Sequence, residues 1–262
     1  GTIILGFFLT LPQIHTDILM KKQEVIICRN LSEDLSQAIS NNPHDKLFLL
    51  VDEHTSTLCK PLIDNLPCMQ GAIEIKIGAE DVHKTLETLA YVWKSLSDQG
   101  ATRHSLMINL GGGMVTDLGG FAASTFKRGI KYINIPTTLL AMVDASVGGK
   151  TGINFNGLKN EIGVFSPTES VLIDAEFLKS LDSANLLSGY AEMLKHGLIS
   201  TTAHWAELLN FDMNRIDYKA LQALVAQSVQ IKENIVEQDP FEKGIRKALN
   251  LGHTVGHAFE SL

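Results

Sequence analysis

The sequence predicts an α/β domain followed by a helical domain. Between residues 20 and 180, short apolar runs alternate with helical patterns, which is typical of a sheet whose strands are joined by helices. After Asp182, β-branched runs give way to apolar residues at helical spacing. We therefore expect the α/β domain over residues 1–180 and a mostly helical domain over residues 181–262, with the boundary near Phe177–Ala184.

Six apolar runs in the first domain have the length and composition of strands. They are Glu24–Cys28, Lys46–Asp52, Ala72–Gly78, Ser105–Leu110, Tyr132–Pro136 and Val171–Asp174. Apolar residues at spacings of three and four predict a helix over Val82–Asp98, and Leu31–Ile39 predicts a shorter one. In the second domain the same spacing predicts helices that include Tyr190–Ile199 and Leu221–Ile235. The latter should end before Asp239-Pro240, since the residue before a proline avoids the helical region.

Composition excludes several classes of protein. The formal net charge of -7 argues against a nucleic-acid-binding protein, which usually has a basic face. No run reaches the roughly 18 apolar residues of a membrane span. Residues 1–11 are apolar but lack the flanks of a signal peptide, so we expect an edge strand or an added leader there. Cys28, Cys59 and Cys68 are few and not in CxxC spacing, which is typical of reduced thiols in a cytosolic protein.

The segment Leu106–Phe121 (LMINLGGGMVTDLGGF) runs from an apolar strand through three glycines into a helical pattern. Glycines let backbone N–H groups approach a phosphate, and the helix N-terminus adds its positive end, which favours the pyrophosphate of a dinucleotide. Gly111, Gly113 and Gly119 do not have GxGxxG spacing, and no GK[ST] follows. A tight turn without a ligand is the alternative. Asp52, at the end of a hydrophobic strand, either accepts bonds from a ribose or caps a turn.

The stretch Thr137–Asn160 follows a strand and combines many small residues with a few polar side chains. Small residues beside isolated charges indicate the wall of a cleft, and a surface loop is the alternative. A lysine directly after Gly148-Gly149 stands where a backbone can approach a ligand closely. The polar side chains of this stretch are Asp144, Lys150, Lys159 and Asn160.

Charged residues also lie on the predicted helices of the second domain. Glu192 and Lys195 are i, i+3 neighbours with His196 alongside, and a simple surface ion pair is the alternative to a site. Lys232 lies on or near an apolar face, so its amine must reach solvent or pair with an anion. Together with Arg246, Lys195 and Lys232 would suit a substrate that carries phosphate and carboxylate groups.

Two histidines near the C-terminus, His253 and His257, are four residues apart, which places both rings on one face of a helix. Two imidazoles at this spacing form half of a divalent-metal site. Together with Glu192 they give the ligand mix of a catalytic zinc. The alternative is a pair of polar residues on a partly buried helix.

From about Met20 onward the chain resembles the 3-dehydroquinate synthases. The matching motifs, in family order, are GGGMVTDLGGFAASTFKRG, INIPTTLLAMVDASVGGKTGIN, LKNEIGVFSP, SGYAEMLKHGLI and LNLGHTVGHAFES. This resemblance implies a Rossmann-like nucleotide-binding domain followed by a helical metal-binding domain, with the active site between them. Glu80-Asp81 is a departure, because the family usually has a Gly-Glu pair there.

The resemblance also implies three sets of site residues. NAD would contact Asp52, Asp81, Lys84, Gly112, Gly113, Met114, Asp117, Thr137, Thr138, Lys150, Lys159 and Phe177. A divalent metal, zinc or cobalt, would be held by Glu192 and His253 and a third ligand. Substrate binding and catalysis would use Asp144, Lys150, Asn160, Lys195, Lys232, Arg246, Asn250, His257 and, from the neighbouring subunit of a homodimer, Arg128. In this scheme His257 faces the substrate phosphate rather than the metal.

The activity implied is that of a carbon–oxygen lyase in the shikimate pathway, which leads to chorismate and the aromatic amino acids in the cytoplasm. The substrate would be 3-deoxy-arabino-heptulosonate 7-phosphate and the products 3-dehydroquinate and phosphate, with NAD recycled. The alternatives are another NAD- and metal-dependent sugar-phosphate cyclase, and a nucleotide-binding fragment without catalysis. In the family the third metal-binding histidine follows the GHTVGHAFES helix. We therefore expect the 262-residue chain, taken alone, to bind zinc weakly and to turn over poorly.

Overall fold

The computed structural model describes residues 23–239 and 241–252. Residues 1–11, for which we expected an edge strand or a leader, lie outside this range, and so do His253 and His257. The strands are β1 (Glu24–Ile27), β2 (Leu47–Asp52), β3 (Ile73–Ile77), β4 (Leu106–Gly111), β5 (Lys131–Pro136), β6 (Lys150–Phe155), β7 (Leu158–Phe165) and β8 (Ser170–Ile173). All except β6 and β7 form one parallel sheet in the spatial order β1-β8-β5-β4-β2-β3.

The six strands of this sheet are the six predicted from apolar runs, within one or two residues at each end. Every residue of β2 and β4 is buried, as expected for parallel strands covered on both faces. Alternate residues of β2 point to opposite faces. Leu49 and Val51 therefore join one apolar core, whereas Phe48 and Leu50 join the other.

Four helices accompany the sheet. They are α1 (Leu31–Ser40), α2 (Glu53–Leu58), α3 (Leu86–Asp98) and α4 (Gly113–Thr125). The predicted start of α3 at Val82 is wrong, because Asp81–His83 forms a separate 3₁₀ turn. The hydroxyl of Thr85 accepts a hydrogen bond from the backbone N–H of Thr88 and so caps the helix that begins after it.

The antiparallel pair β6–β7 was not predicted. It begins within the stretch Thr137–Asn160, interpreted as a cleft wall or a surface loop, and continues to Phe165; every residue of β7 is exposed. Asn156 and Gly157 join the two strands with φ of 50° and 76°. Positive φ at both positions is the geometry of a type I′ turn, for which Asn-Gly is the preferred sequence.

The chain is helical after β8, as predicted, with α5 (Ser183–Leu198), α6 (Thr202–Asn210) and α7 (Tyr218–Gln238). Side chains of Asp182, Thr201 and Asp217 cap the three N-termini. Helix α7 ends before Asp239, as predicted, whereas α6 was not predicted. Apolar residues of α5 and α7 continue the core on one face of the sheet. The boundary near Phe177–Ala184 stays a prediction. In the part of the chain described here, no helix is long and apolar enough to cross a membrane.

Candidate active site

The carboxyl ends of β2 and β4 form a crevice at the point where the strand order changes direction. Strand β2 leads to its outer neighbour β3, whereas β4 leads to β5 on the other side. Parallel sheets bind ligands at such a switch point, outside the carboxyl ends of the strands. Asp52 ends β2 and Gly111 ends β4, so the sequence places an acidic residue and the glycine turn at this crevice.

The glycine turn forms the N-terminus of α4. Gly112 is the N-cap residue, and no side chain caps the first N–H groups of the helix, which begins Gly113-Met114. A Cβ on Gly112 would lie 3.0 Å from Thr138 Cγ2, and one on Gly113 would lie 3.2 Å from Ala145 Cβ. Glycine therefore lets the backbone pass close to two neighbouring segments and leaves its amides free to bind an anion. This arrangement fits the pyrophosphate of a dinucleotide.

Asp52 caps a helix in this structure. Its Oδ1 accepts a hydrogen bond from the backbone N–H of Thr55 at 2.7 Å, and the Thr55 hydroxyl accepts one from the backbone N–H of Asp52. The capping interpretation of Asp52 is therefore confirmed. Contact with a ribose stays a prediction, and the position of Asp52 at the switch point agrees with it.

Two predicted nucleotide contacts, Lys84 and Asp117, and the predicted substrate residue Asn160 form one partly buried cluster at α4. Lys84, which is 4% exposed, lies 2.6 Å from Asp117 Oδ2 and 2.5 Å from Asn160 Oδ1. Burial raises the pKa of Asp117, and the charge of Lys84 opposes this effect. Asn160 has a φ of 54° and lies on β7, next to Lys159. The cluster thus ties the β6–β7 hairpin to the helix that follows the glycine turn.

The remaining predicted nucleotide contacts lie on three other segments. Asp81 accepts a hydrogen bond from Asn154 of β6 at 3.0 Å. Thr137 donates its backbone N–H to Gly111, and Thr138 caps the next turn by accepting from Ala141. Phe177 is 1% exposed and belongs to the apolar core. A role for Phe177 in nucleotide binding therefore stays a prediction that the burial of its ring does not favour.

Asp144 and Lys232 form an ion pair between the two parts of the chain. Asp144 lies in a π-helical turn, Ala141–Ala145, and Lys232 on α7 donates both to its carboxylate and to its backbone carbonyl. Burial raises the pKa of Asp144, but the charge of Lys232 outweighs burial and brings the pKa to about 2. Of the two outcomes predicted for the Lys232 amine, access to solvent or pairing with an anion, the structure confirms the second.

The charged residues of α5 are buried. Glu192, Lys195 and His196 are 8%, 8% and 0% exposed, so the surface-ion-pair interpretation is wrong. Glu192 Oε1 lies 2.5 Å from Lys195 Nζ and 3.3 Å from His196 Nε2. Burial raises the pKa of Glu192, and the contacts with His196 and Lys195 more than offset it, so the pKa lies below its usual value. Lys195 also donates to the carbonyl of Leu249.

Arg246 and Asn250 lie in a 3₁₀ turn, Ile245–Asn250, that packs against α7. Arg246 is 2% exposed and donates to the carbonyl of Gly148 at 3.3 Å. Glu242 accepts from Asn250 at 2.5 Å and pairs with Lys150 at the start of β6. Sequence reasoning missed Glu242, because nothing about a glutamate in a short polar loop marks it as a partner for two distant residues.

Asp144 connects the buried charged residues of α5 and α7 to the glycine turn. Its neighbour Ala145 is the residue that a Cβ on Gly113 would meet. Its charge raises the pKa of Asp117 on one side and that of Glu192 on the other. The candidate nucleotide site and the buried cations therefore form one continuous site.

Only some of the predicted metal ligands lie within the described residues. Glu192 is a buried carboxylate, a ligand type that zinc accepts, and its Oε1 is in contact with Lys195 Nζ at 2.5 Å and with His196 Nε2 at 3.3 Å. No group of three metal-binding side chains occurs among residues 23–239 and 241–252. His253, the second predicted ligand, and His257 lie outside those ranges. Glu192 thus fits a metal by its chemistry, and the rest of the ligand set stays a prediction.

Arg128 lies far from the rest of the site in its own chain. It is exposed, has a φ of 67°, and follows the C-terminal end of α4, whereas the glycine turn is at the N-terminal end. A helix of this length spans about 20 Å. This position agrees with the prediction that Arg128 serves the neighbouring subunit.

Comparison with known proteins identifies the family. Residues 74–188 match the family model of the 3-dehydroquinate synthase N-terminal domain, and residues 189–262 match that of the C-terminal domain. The 3-dehydroquinate synthase of Parabacteroides distasonis is 56% identical over 93% of this chain and 69% of its own length. That of Streptococcus pyogenes serotype M5 is 36% identical over 96% of this chain and 71% of its own length.

This chain is also similar to a protein of known structure. The 2-epi-5-epi-valiolone synthase of Streptomyces hygroscopicus subsp. jinggangensis 5008, with NAD+ and Zn2+ bound, is 28% identical and superposes with a TM-score of 0.79. The match covers 88% of this chain and 66% of the synthase. The chain thus spans about two thirds of the length of the proteins it matches. Both halves of the sequence and the fold lead to one conclusion: this chain belongs to the 3-dehydroquinate synthase family.

Proposed function

We propose that this chain binds NAD+ at the glycine turn and a divalent metal at Glu192. With them it would convert 3-deoxy-arabino-heptulosonate 7-phosphate to 3-dehydroquinate and phosphate, as a lyase of the shikimate pathway. One observation carries the proposal. Lys195, Lys232, Arg246 and Glu192 are buried beside the partly exposed carboxylate of Asp144 and an uncapped glycine turn. Lysine and arginine side chains grouped beside an anion-binding turn are suited to a substrate that carries phosphate and carboxylate groups.

The proposed cofactors supply chemistry that the side chains lack. NAD+ accepts a hydride and later returns it, and the metal lowers the pKa of the hydroxyl that is oxidised. The bound NAD+ and Zn2+ of the valiolone synthase support both assignments. Glu192 would contribute one metal ligand, and the free amides at the start of α4 would bind the pyrophosphate.

The side chains of this chain would bind and orient the substrate. Lys195 and Arg246 come from helix α5 and from the segment that follows α7, so they can hold the anionic groups of one molecule from two sides. Lys150 and Asn250 share Glu242 as their partner, and their donors become available if a substrate anion replaces that carboxylate. Holding the phosphate and carboxylate in fixed positions favours elimination of the phosphate and the later ring closure.

The assay that tests the function measures phosphate release from three sugar phosphates in the presence of NAD+ and zinc. We expect release from 3-deoxy-arabino-heptulosonate 7-phosphate, and none from glucose 6-phosphate or sedoheptulose 7-phosphate. Release from sedoheptulose 7-phosphate instead would favour the second candidate, a cyclase like the valiolone synthase to which the fold is similar. Binding of NAD+ without release from any of the three would leave the third candidate, a nucleotide-binding chain without catalysis.

We also propose that the protein is a homodimer in which Arg128 of one subunit reaches the substrate phosphate of the other. Its position about 20 Å from the glycine turn of its own chain supports this arrangement. Arg128→Ala and Glu192→Gln proteins should each be inactive. If Arg128 acts across the interface, mixed dimers contain one intact site, and mixing should restore up to about a quarter of the activity because half of the dimers are mixed.

A lack of restored activity, in a mixture shown by mass spectrometry to contain mixed dimers, would place Arg128 in the site of its own subunit. A sedimentation coefficient of a monomer at assay concentration would exclude the homodimer itself.

A further inference from the structure

A buried histidine and a buried serine lie behind the candidate metal ligand. His196 follows Glu192 by one turn of α5, and Ser228 faces it from α7. Both side chains are fully buried, with 0% exposure each. Neither residue has a proposed role in substrate or nucleotide binding, and an imidazole without access to solvent needs partners for both ring nitrogens.

The two ring nitrogens of His196 face different groups. Nδ1 lies 2.7 Å from Ser228 Oγ, within hydrogen-bond distance. Nε2 lies 3.3 Å from Glu192 Oε1, on the same buried side of α5. Neither Nε2 nor Oε1 makes an aligned hydrogen bond in this structure, so the two atoms are in contact but not aligned, and Oε1 is also paired with Lys195 Nζ at 2.5 Å.

The chemistry of these contacts determines which nitrogen carries the proton. A neutral imidazole has one N–H and one acceptor nitrogen. An acceptor nitrogen at Nε2 would face the carboxylate oxygen of Glu192 and repel it. The proton therefore belongs on Nε2, and Nδ1 accepts from the hydroxyl of Ser228. Ser228 thereby fixes the tautomer that presents an N–H to Glu192.

We infer that Ser228 and His196 are positioning residues that hold the Glu192 carboxylate for metal binding. A donor on Oε1 orients the carboxylate and leaves Oε2 for a metal ion. Groups that hold a metal ligand in this way typically contribute about 10- to 100-fold to metal affinity. This inference rests on the proposed metal site at Glu192.

The chain offers a matched control on the next helix. His204 of α6 is also a buried histidine, 4% exposed, and neither of its ring nitrogens makes a hydrogen bond within the described structure. Its acidic contact is Glu207 at 3.9 Å, not Glu192. Replacement of His204 therefore reproduces the loss of a buried imidazole in the helical region without touching the candidate ligand.

The experiment is a titration of the metal-free protein with Zn2+ against a chromophoric chelator, with NAD+ affinity measured by calorimetry on the same samples. We expect His196→Leu to weaken zinc binding by about 10- to 100-fold while NAD+ affinity is unchanged. His196→Gln keeps a donor near the position of Nε2 and should recover most of the affinity. Ser228→Ala should weaken zinc binding less than His196→Leu, and His204→Leu should leave it unchanged.

Two results would overturn the inference. If Glu192→Gln abolishes zinc binding but His196→Leu and Ser228→Ala bind zinc like the unaltered protein, Glu192 is a ligand and His196 does not position it. If His204→Leu weakens zinc binding as much as His196→Leu, the effect comes from packing. Retention of zinc by Glu192→Gln would contradict the proposed metal site itself. If His196→Leu does not fold, His196→Gln and Ser228→Ala give the same comparison.

Discussion

The ion pair between Asp144 and Lys232 gives the sharpest test of how the two parts of the chain are coupled. Lys232→Met keeps the length and apolar character of the side chain on α7 but removes its charge. Asp144 would then lack the partner that outweighs its burial. Breaking a buried pair by removing one partner is strongly destabilising, because the other charge stays buried without compensation.

The magnitude follows from the pKa of Asp144. Neighbouring charges, Lys232 foremost, bring this pKa from 3.8 to about 2, which corresponds to about 2 kcal/mol of stability for the carboxylate. Burial lowers the pKa of Lys232 and offsets part of this gain. Because Lys232→Met leaves the desolvation of the carboxylate uncompensated, we expect it to lower the free energy of unfolding by about 2 kcal/mol at pH 7.

The stability that the paired Asp144 carboxylate contributes should decrease as the pH falls. A carboxylate whose folded pKa lies below its unfolded value stabilises the protein fully above the unfolded pKa, here near 4. This stabilisation is lost as the pH falls toward the folded pKa of about 2. The difference in stability between the unaltered protein and Lys232→Met should therefore be largest at pH 7 and should shrink as the pH falls. It shrinks first above pH 4, because burial without Lys232 raises the pKa of Asp144 in the variant, and then between pH 4 and pH 2, where Asp144 of the unaltered protein is protonated.

The assay is urea unfolding followed by circular dichroism at pH 7, 5 and 3, for the two single variants Lys232→Met and Asp144→Asn and for the double variant. We expect a coupling free energy of at least about 1.5 kcal/mol at pH 7 and a smaller one at pH 3. A coupling below about 0.5 kcal/mol at pH 7, or a coupling that does not change with pH, would refute the reasoning.

Two further predictions concern ligand binding. Gly113→Val should abolish NAD+ binding in calorimetry, because its side chain would occupy the approach of the pyrophosphate and meet Ala145 Cβ from 3.2 Å; unchanged affinity would remove the glycine turn from the site. Arg246→Ala should raise the substrate KM at least about tenfold and leave zinc content unchanged in elemental analysis, because a cation is removed and no metal ligand is. Equal loss of zinc and of substrate affinity would mean that the fold had been disturbed.

Local sequence patterns determined most of the secondary structure. The six strands of the main sheet were predicted because parallel strands buried on both faces are short apolar runs. The β6–β7 hairpin was missed, although Asn156-Gly157 is a strong turn signal, because its exposed strands lack the alternation of a half-buried strand. Helix α6 was missed because it is short, with nine residues, and few of them are buried.

The sequence by itself determined the fold class, the family and the chemical types of the site residues. A glycine turn between a strand and a helix predicts an anionic ligand, and a lysine on an apolar face predicts that its amine reaches solvent or an anion. These patterns do not identify the partner itself. Only the structure showed that the partner of Lys232 is Asp144, which is 88 residues away.

The tertiary structure also decided which charges are buried. In sequence, Glu192 and Lys195 fitted a surface pair as well as a buried site, because i, i+3 spacing is the same on either face of a helix. Packing of α5 against α7 put them inside and placed Ser228 against His196. Charge and spacing are local properties of the chain, whereas burial depends on which elements pack together, and that is settled only by the whole fold.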